Sequence, residues 1–450
     1  MDMNQIAAMG KLMEKIDMTK VAALADRVDL GQMVELLGAM KPAELQKMLK
    51  LAQGAAQPKA APPINSDFYE IADLLSDEEQ AVLTKIRHFM EHEVQPLIND
   101  YWERGEFPFE LIPKMPEVFR EMVQVAMDNP TISPLLIGMM TVEIARVDPS
   151  ISTFIGVHWG LCMTSIRMFG SAAQKARWLP PMERFEKIGS WALTEPEVGS
   201  AAAAGLQTTA RRQGDTWLLN GQKKWSGNAT FADVNVIWAK DVADNQVKGF
   251  LVELGTPGYI VEKLRGKIAK RVVENVLITL TEVRVAEADR LPGVNSFKDV
   301  ATQLAAARTA VAWEAVGLAM GAYEHTLDYA NQRIQFGKPI TSFQLVQSGL
   351  VKMLGNITAM QGMLLRLAQL MARDGGISHE RASLAKAFCT EKMRESVAIG
   401  RNLLGGNGIL LEHDVARFFA DAEAVYSYEG TYEMNTLIVG RAITGQSAFV

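Results

Sequence analysis

Near the C-terminus the turn-forming run Leu404-Gly405-Gly406-Asn407-Gly408 precedes Tyr426-Ser427-Tyr428-Glu429-Gly430-Thr431. One carboxylate set among tyrosines beside a glycine turn could do acid–base chemistry. Ring faces would strip water from Glu429, and desolvation raises a carboxyl pKa towards the range useful for taking a proton from carbon. Gly430 lets the backbone turn sharply next to a ligand, and Thr431 adds a hydroxyl. An acidic residue ahead of a helix also complements the helix dipole, so these residues alone leave a catalytic and a structural reading open.

The chain that must position them has 450 residues, 48% of them hydrophobic, enough for two or three domains with their own cores. Its 46 basic and 52 acidic residues form no long single-sign block, which argues against nucleic acid as a partner. Cys162 and Cys389 stand far apart, so neither a disulfide framework nor a metal cluster is expected, and a reducing compartment fits. No secretory signal and no uninterrupted membrane span is legible, and Ala448-Phe449-Val450 is not a peroxisomal address. Cytoplasm is the expectation.

Residues 1–53 carry apolar side chains at helical spacing (Ile6, Met9, Leu12 and Met13; Val34, Leu37 and Met40; Leu45, Met48 and Leu49), predicting a helical extension of short amphipathic helices. Residues 54–65, with Pro58, Pro62 and Pro63, read as a linker. So small an extension buries little surface, and it either packs on its own oligomer or docks another protein. Residues 66–190 are again helical, with Asp67, Ser76 and Ser133 as helix starts. Over 191–296 β-branched and aromatic runs alternate with turn signals. Strands are expected at 234–239, 249–253, 276–280 and 283–285, and a hairpin turn at Asn220-Gly221. Residues 297–450 return to long helical periodicity, at 304–333, 343–373 and 381–404. The fold class is mainly α with a middle β domain.

That order resembles the acyl-CoA dehydrogenase superfamily through Trp191-Ala192-Leu193-Thr194-Glu195-Pro196, Arg333-Ile334-Gln335-Phe336-Gly337-Lys338-Pro339 and Tyr428-Glu429-Gly430-Thr431. The branch of glutaryl-CoA dehydrogenases and short-chain acyl-CoA oxidases is the most similar, through Phe107-Pro108-Phe109, Ile144-Ala145-Arg146-Val147-Asp148, Leu291-Pro292-Gly293 and Gly440-Arg441-Ala442-Ile443-Thr444-Gly445. The resemblance implies an N-terminal helical domain, a small β barrel and a C-terminal four-helix bundle, assembled as a homotetramer. It implies FAD and an acyl-CoA thioester, with Glu429 abstracting the α-proton and flavin N5 taking the β-hydride. The Glu429 N–H and a flavin ribityl hydroxyl would then bond the enolate oxygen. Some relatives carry the base before the arginine matched by Arg308; here that residue is Ala307, leaving Glu429 as the candidate. By the same resemblance Leu193, Thr194 and Ser200 line the flavin and the CoA pyrophosphate, and Trp225 stacks near the isoalloxazine. Arg333, Gln335 and Phe336 reach the FAD of a neighbouring subunit, Gly405 and Gly406 allow its close approach, and Thr431 and Glu433 close over it. Arg308 is a CoA contact. Without the resemblance, Arg333 reads first as a dipole-complementing arginine and the glycines as turn residues.

The chain also departs from the pattern. Ser152 stands where glutaryl-specific members place the arginine that pairs a distal carboxylate, so a short neutral acyl chain is expected. The bulky run from Met115 to Gln124 replaces a glycine-rich loop that borders the acyl pocket in this branch. Alanines at 201–204 replace an expected acidic residue, and Gly227 replaces a threonine, as in the oxidases. Three readings follow: a dehydrogenase delivering electrons to an electron-transfer flavoprotein, an oxidase using O2, and a non-catalytic scaffold with a docking extension.

Overall fold

The computed structural model describes residues 62–119, 133–200 and 202–449. The extension at 1–53, most of the linker and residues 120–124 of the altered loop lie outside the described residues.

Helix α1 (Asp77–Phe89) starts where Ser76 accepts the Glu79 N–H and the Glu79 carboxylate accepts the Ser76 N–H, a reciprocal cap that satisfies two donors at the helix start. A wider π-type turn at Met90–Val94 joins it to α2 (Gln95–Arg104), which Gly105 ends with φ 67°. Ser133 caps α3 (Pro134–Val147), and Asp148 caps α4 (Pro149–Ile155) by accepting the Ile151 N–H at 2.8 Å. A second π-type segment, Gly156–Met163, leads into α5 (Thr164–Phe169), followed by α6 (Ala172–Glu183).

The middle region is a seven-stranded curled sheet of β1 (Gly189–Ala192), β2 (Thr209–Gln213), β3 (Thr216–Ser226), β4 (Val234–Asp241), β5 (Val247–Glu253), β6 (Tyr259–Lys263) and β7 (Val276–Ala286), with a short helical turn, α7 (Ala202–Gly205), after β1. The order is β1-β4-β2-β3-β7-β6, with β5 also beside β4. The hairpin expected at Asn220-Gly221 is not there. The chain reverses at Gly214 (φ 64°), whereas Gly221 (φ 143°) lies inside β3, where a Cβ would come 2.6 Å from the Thr208 hydroxyl. Opposite it, Glu282 takes φ 49°, and this bulge keeps 276–286 one strand where two were expected.

The C-terminal helices are α8 (Phe297–Gln332), α9 (Gln344–Asp374), α10 (His379–Leu403), α11 (Val415–Ser427) and α12 (Tyr432–Thr444), with a small hairpin of β8 (Ile334–Gln335) and β9 (Lys338–Pro339) after α8. Helix α8 meets α3 at backbone distance: a Cβ at Gly317 would lie 2.3 Å from the Val142 carbonyl, and one at Gly321 would lie 2.1 Å from that of Arg146. The Arg-Val-Asp motif sits at this junction. Arg146 pairs with Glu91, Glu143 and Glu324, while fully buried Asp148 accepts from Arg417 at 2.6 Å. Among the described residues no helix is long and apolar enough to cross a membrane.

Candidate active site

Between α11 and α12 the chain turns through Tyr428 to Thr431, with Glu429 at φ 53° and Gly430 at φ 85°. A glycine takes this conformation freely, but for a glutamate the left-handed backbone costs about 1–2 kcal/mol, so neighbours must hold it. Lys386, fully buried on α10, donates to the carbonyls of Tyr426 and Gly430, each at 2.7 Å. Asn435 donates to the carbonyls of Gly430 and Thr431 at 2.9 and 3.0 Å, and the Thr431 hydroxyl caps α12 by accepting the Met434 N–H. Glu433, exposed in the first turn of α12, has its carboxyl held low by backbone N–H and Thr431 bonds.

Glu429 is half-buried, yet its Oε2 is shut from solvent and accepts no hydrogen bond from the described residues. Burial pushes the carboxyl above its ordinary value, the Arg308 and Lys386 cations oppose that, and Glu314 adds to it. Burial likewise pushes Lys386 down to about 8 against the pull of Glu429, and holds Arg308 below its ordinary value. The Arg308 Nε and Nη1 find no acceptor among the described residues. The backbone N–H of Glu429 also has no acceptor among the described residues. The tyrosines are engaged elsewhere: Tyr426 stacks on Tyr432 with ring centroids 5.8 Å apart, and the Tyr428 hydroxyl donates to Glu314. The turn thus assembles one desolvated carboxylate, two cations and an unspent N–H, which suits it to accept a proton and steady a neighbouring oxyanion.

A second group lies at the end of β1. Leu193 is buried and Thr194 half-buried, while Ser200 is exposed. Glu195 accepts from the N–H groups of Gln207 and Thr208 and from Lys223 Nζ at 2.8 Å. Burial opposes this carboxylate, but Lys223 and the N–H donors outweigh it and hold its pKa low, while burial takes Lys223 to about 8. Lys223 also donates to the Leu193 carbonyl at 3.0 Å, so the buried pair fixes the Leu193-Thr194 loop. Trp225 stands 53% exposed on a left-handed backbone (φ 74°), its carbonyl held by Asn275 at 2.8 Å. A large flat ring held out from the sheet at such cost fits an aromatic ligand. A methyl at Gly227 would touch Val157 and Val273, each at 3.4 Å, so little space opens there.

The third group lines a cleft of about 280 Å³ formed by Arg333, Gln335, Gly405, Gly406 and Asn407 with Tyr329 and Ile340. Gly405 takes φ 61°, but a Cβ at Gly406 would meet nothing within 4 Å, so packing within this chain does not require that second glycine. Phe336, at φ 51°, is 91% exposed beside it. An exposed guanidinium next to a bare glycine shelf fits a diphosphate approaching from outside the chain. The residues present therefore fit FAD.

The sequence pointed to Glu429, to Arg333, Gln335, Gly405 and Gly406 of the cleft and to Trp225, and missed Lys386, Glu314, Glu195 and Lys223. One signal was available. Lys386 follows Ala382 and precedes Cys389 and Met393 on the buried stripe of α10, and Glu314 interrupts the apolar run Ala312-Trp313-Glu314-Ala315-Val316; a charge in such a place demands a partner.

Comparison with known proteins covers the same body. Family models described as acyl-CoA dehydrogenase N-terminal, middle and C-terminal domains match residues 76–186, 190–283 and 297–444. The mitochondrial short-chain specific acyl-CoA dehydrogenase of Mus musculus is 31% identical over 81% of this chain and 90% of its own. A glutaryl-CoA dehydrogenase from Mycobacterium smegmatis, solved in complex with FADH2, superposes with TM-score 0.80 at 30% identity over 85% of this chain and 98% of its own. Butyryl-CoA dehydrogenase from Megasphaera elsdenii superposes with TM-score 0.77 at 28% identity, over 82% and 98%. With three consecutive domain matches and relatives aligned along nearly their whole length, the chain belongs to the acyl-CoA dehydrogenase family.

Proposed function

We propose that this chain oxidises a short, neutral acyl-CoA to its trans-2-enoyl-CoA with Glu429 as the α-proton acceptor. The observation that carries the reading is the Glu429 carboxylate, shut from water at Oε2 with no hydrogen bond to spend. Its raised pKa makes it a stronger base than an exposed carboxylate, while Arg308 and Lys386 keep the ionised form accessible. The unspent N–H of the same residue would bond the thioester oxygen as negative charge develops there. FAD, when bound, supplies the acceptor for the hydride leaving the β-carbon. Leu193, Thr194 and Trp225 would hold its ring, with Thr431 and Glu433 over it. Arg333, Gln335, Phe336, Gly405 and Gly406 would meet the diphosphate of a second copy, within a homotetramer. Arg308, Ser200 and Gly430 would face the CoA ester, Arg308 with its free donors.

A neutral acyl chain is supported by Ser152, a buried serine where a distal carboxylate would need a cation. An electron-transfer flavoprotein is the proposed acceptor in preference to O2, since Val157 and Val273 crowd the position where Gly227 would open an oxygen route. The proposed compartment is the cytoplasm, in keeping with the buried free thiols Cys162 and Cys389. For residues 1–53 packing on the chain's own oligomer is the proposal, with docking of a protein partner as the alternative. The test is anaerobic addition of butyryl-CoA to the FAD-loaded protein. Flavin absorbance is expected to bleach, and Glu429→Gln to retain the flavin spectrum while bleaching about 10³-fold more slowly. Wild-type bleaching by that variant would remove Glu429 as the base.

A further inference from the structure

Beneath the Glu429 turn lies a closed polar chain that the reaction itself does not use. Glu314 on α8 is 4% exposed; its Oε2 accepts from the Tyr428 hydroxyl and its Oε1 from Lys270 Nζ, both at 2.5 Å. Lys270, in the loop between β6 and β7, spends its other donors on the Pro149 carbonyl and on the Thr153 hydroxyl at 2.8 Å. All three ammonium hydrogens are engaged. This cation has come from the β region to within one residue of Ser152, but it has nothing left to offer a substrate carboxylate.

The closed chain has a different use. Tyr428 is bonded covalently to Glu429, so pinning its ring at the phenol fixes the residue from which the left-handed turn departs. Lys386 holds the same turn by its carbonyls at 426 and 430, which flank the base along the chain. A side chain whose backbone is held at both ends keeps one aim, which proton abstraction requires. We propose that Glu314 is a positioning residue for the base, acting through Tyr428, with Lys270 as its counter-ion. The proposal rests on Glu429 being that base.

Glu314 also shapes the charge around Glu429. Arg308 and Glu314 face it from α8 and Lys386 from α10. Tyr428 adjoins it, Lys270 stands behind Glu314, and Glu433 on α12 acts on Lys386. Among these, Glu314 is the carboxylate that disfavours ionisation of Glu429, and removing its charge lets the base ionise at lower pH.

The experiment compares Glu314→Gln, Tyr428→Phe, their double variant and Glu429→Gln, each scored by activity per bound flavin with butyryl-CoA over a pH series. Glu314→Gln is expected to lower kcat roughly 10- to 100-fold with little change in KM, and to move the acid limb of kcat/KM down by about one pH unit. Tyr428→Phe leaves the Lys270–Glu314 pair intact and is expected to lower kcat to a similar extent without that shift. The double variant should be no worse than the poorer single one, since both cut the same link. A purely structural pair would lower the melting temperature and leave kcat per flavin and the acid limb unchanged; that result, or Tyr428→Phe with wild-type kcat, overturns the proposal. Should Glu314→Gln fail to fold, the Tyr428→Phe value decides. If Glu429→Gln is fully active, the reading of the base fails first; if it is inactive while Glu314→Gln and Tyr428→Phe behave as wild type, the positioning role alone fails.

Discussion

Lys386 carries two tasks with one ammonium, and they can be separated. Its hydrogen bonds to the Tyr426 and Gly430 carbonyls hold the turn, and its charge eases ionisation of Glu429. Lys386→Met removes both, leaving the Tyr426 carbonyl without a donor and the Gly430 carbonyl with Asn435 alone, which costs about 1–3 kcal/mol of stability. The electrostatic effect has a definite sign. Taking a cation away from a desolvated carboxylate raises its pKa, and proton abstraction needs the ionised form, so the acid limb of kcat/KM should move to higher pH. That is opposite to the expectation for Glu314→Gln. Were both limbs to move the same way, the variants would be reporting general loosening of the turn, and the charges around Glu429 would not be tuning it.

The π-type segment Gly156–Met163 is fastened to the sheet by one neutral histidine. His158 is fully buried; its Nδ1 accepts the Gly189 N–H at 3.0 Å and its Nε2 lies 3.0 Å from the Met182 carbonyl, a pair of bonds that only the neutral ring makes. Burial pushes its pKa down to about 4 from 6.5. The unfolded chain therefore takes up a proton as pH falls through 6.5, while the folded protein does not until about 4. Stability that is complete above 6.5 is lost between those limits, by roughly 3 kcal/mol in total. Asp421, pushed up to about 6 by burial beside Asp148, acts with the opposite sign over much of that window, because the folded state takes its proton first. A comparison with His158→Gln, which can make both bonds and does not titrate, isolates the histidine. In denaturant unfolding from pH 7.5 to 4.5 the wild type should lose stability relative to the variant, whereas parallel curves would discard the account. Element boundaries near such ties were partly legible. Ser76 and Ser133 announced their helices because capping is local chemistry, and long apolar periodicity gave α8, α9 and α10 nearly whole. Asn220-Gly221 misled because its glycine answers to Thr208 across the sheet, a contact invisible along the chain. Glu429 stood out in its own motif, but Lys386 and Glu314 reach it from 43 and 115 positions away, and only packing brings them there.

At the scale of the whole molecule the cleft of Arg333, Gln335, Gly405 and Gly406 is, in the proposed assembly, one side of a shared site. Its guanidinium is exposed and has no acceptor among the described residues, a Cβ at Gly406 would meet empty space, and Phe336 offers most of a phenyl ring to water on a left-handed backbone. Leu345, at the start of α9, is 86% exposed on the same stretch of chain. Large apolar side chains left bare beside an unpaired cation are expensive in a monomer and ordinary at an interface that also holds an anionic ligand. In the proposed assembly this face of one copy closes over the diphosphate bound by the next, so subunit contact and cofactor retention depend on each other. Phe336→Glu places a charge at the centre of that contact without touching Glu429 or Trp225. It is expected to shift the protein to a smaller species in light scattering and to lower flavin content per chain severalfold, with far-UV circular dichroism unchanged, because the helices of each copy fold around their own cores. Loss of assembly with full flavin would place the whole cofactor site within one copy, and wild-type mass with full flavin would show that this face is not the contact.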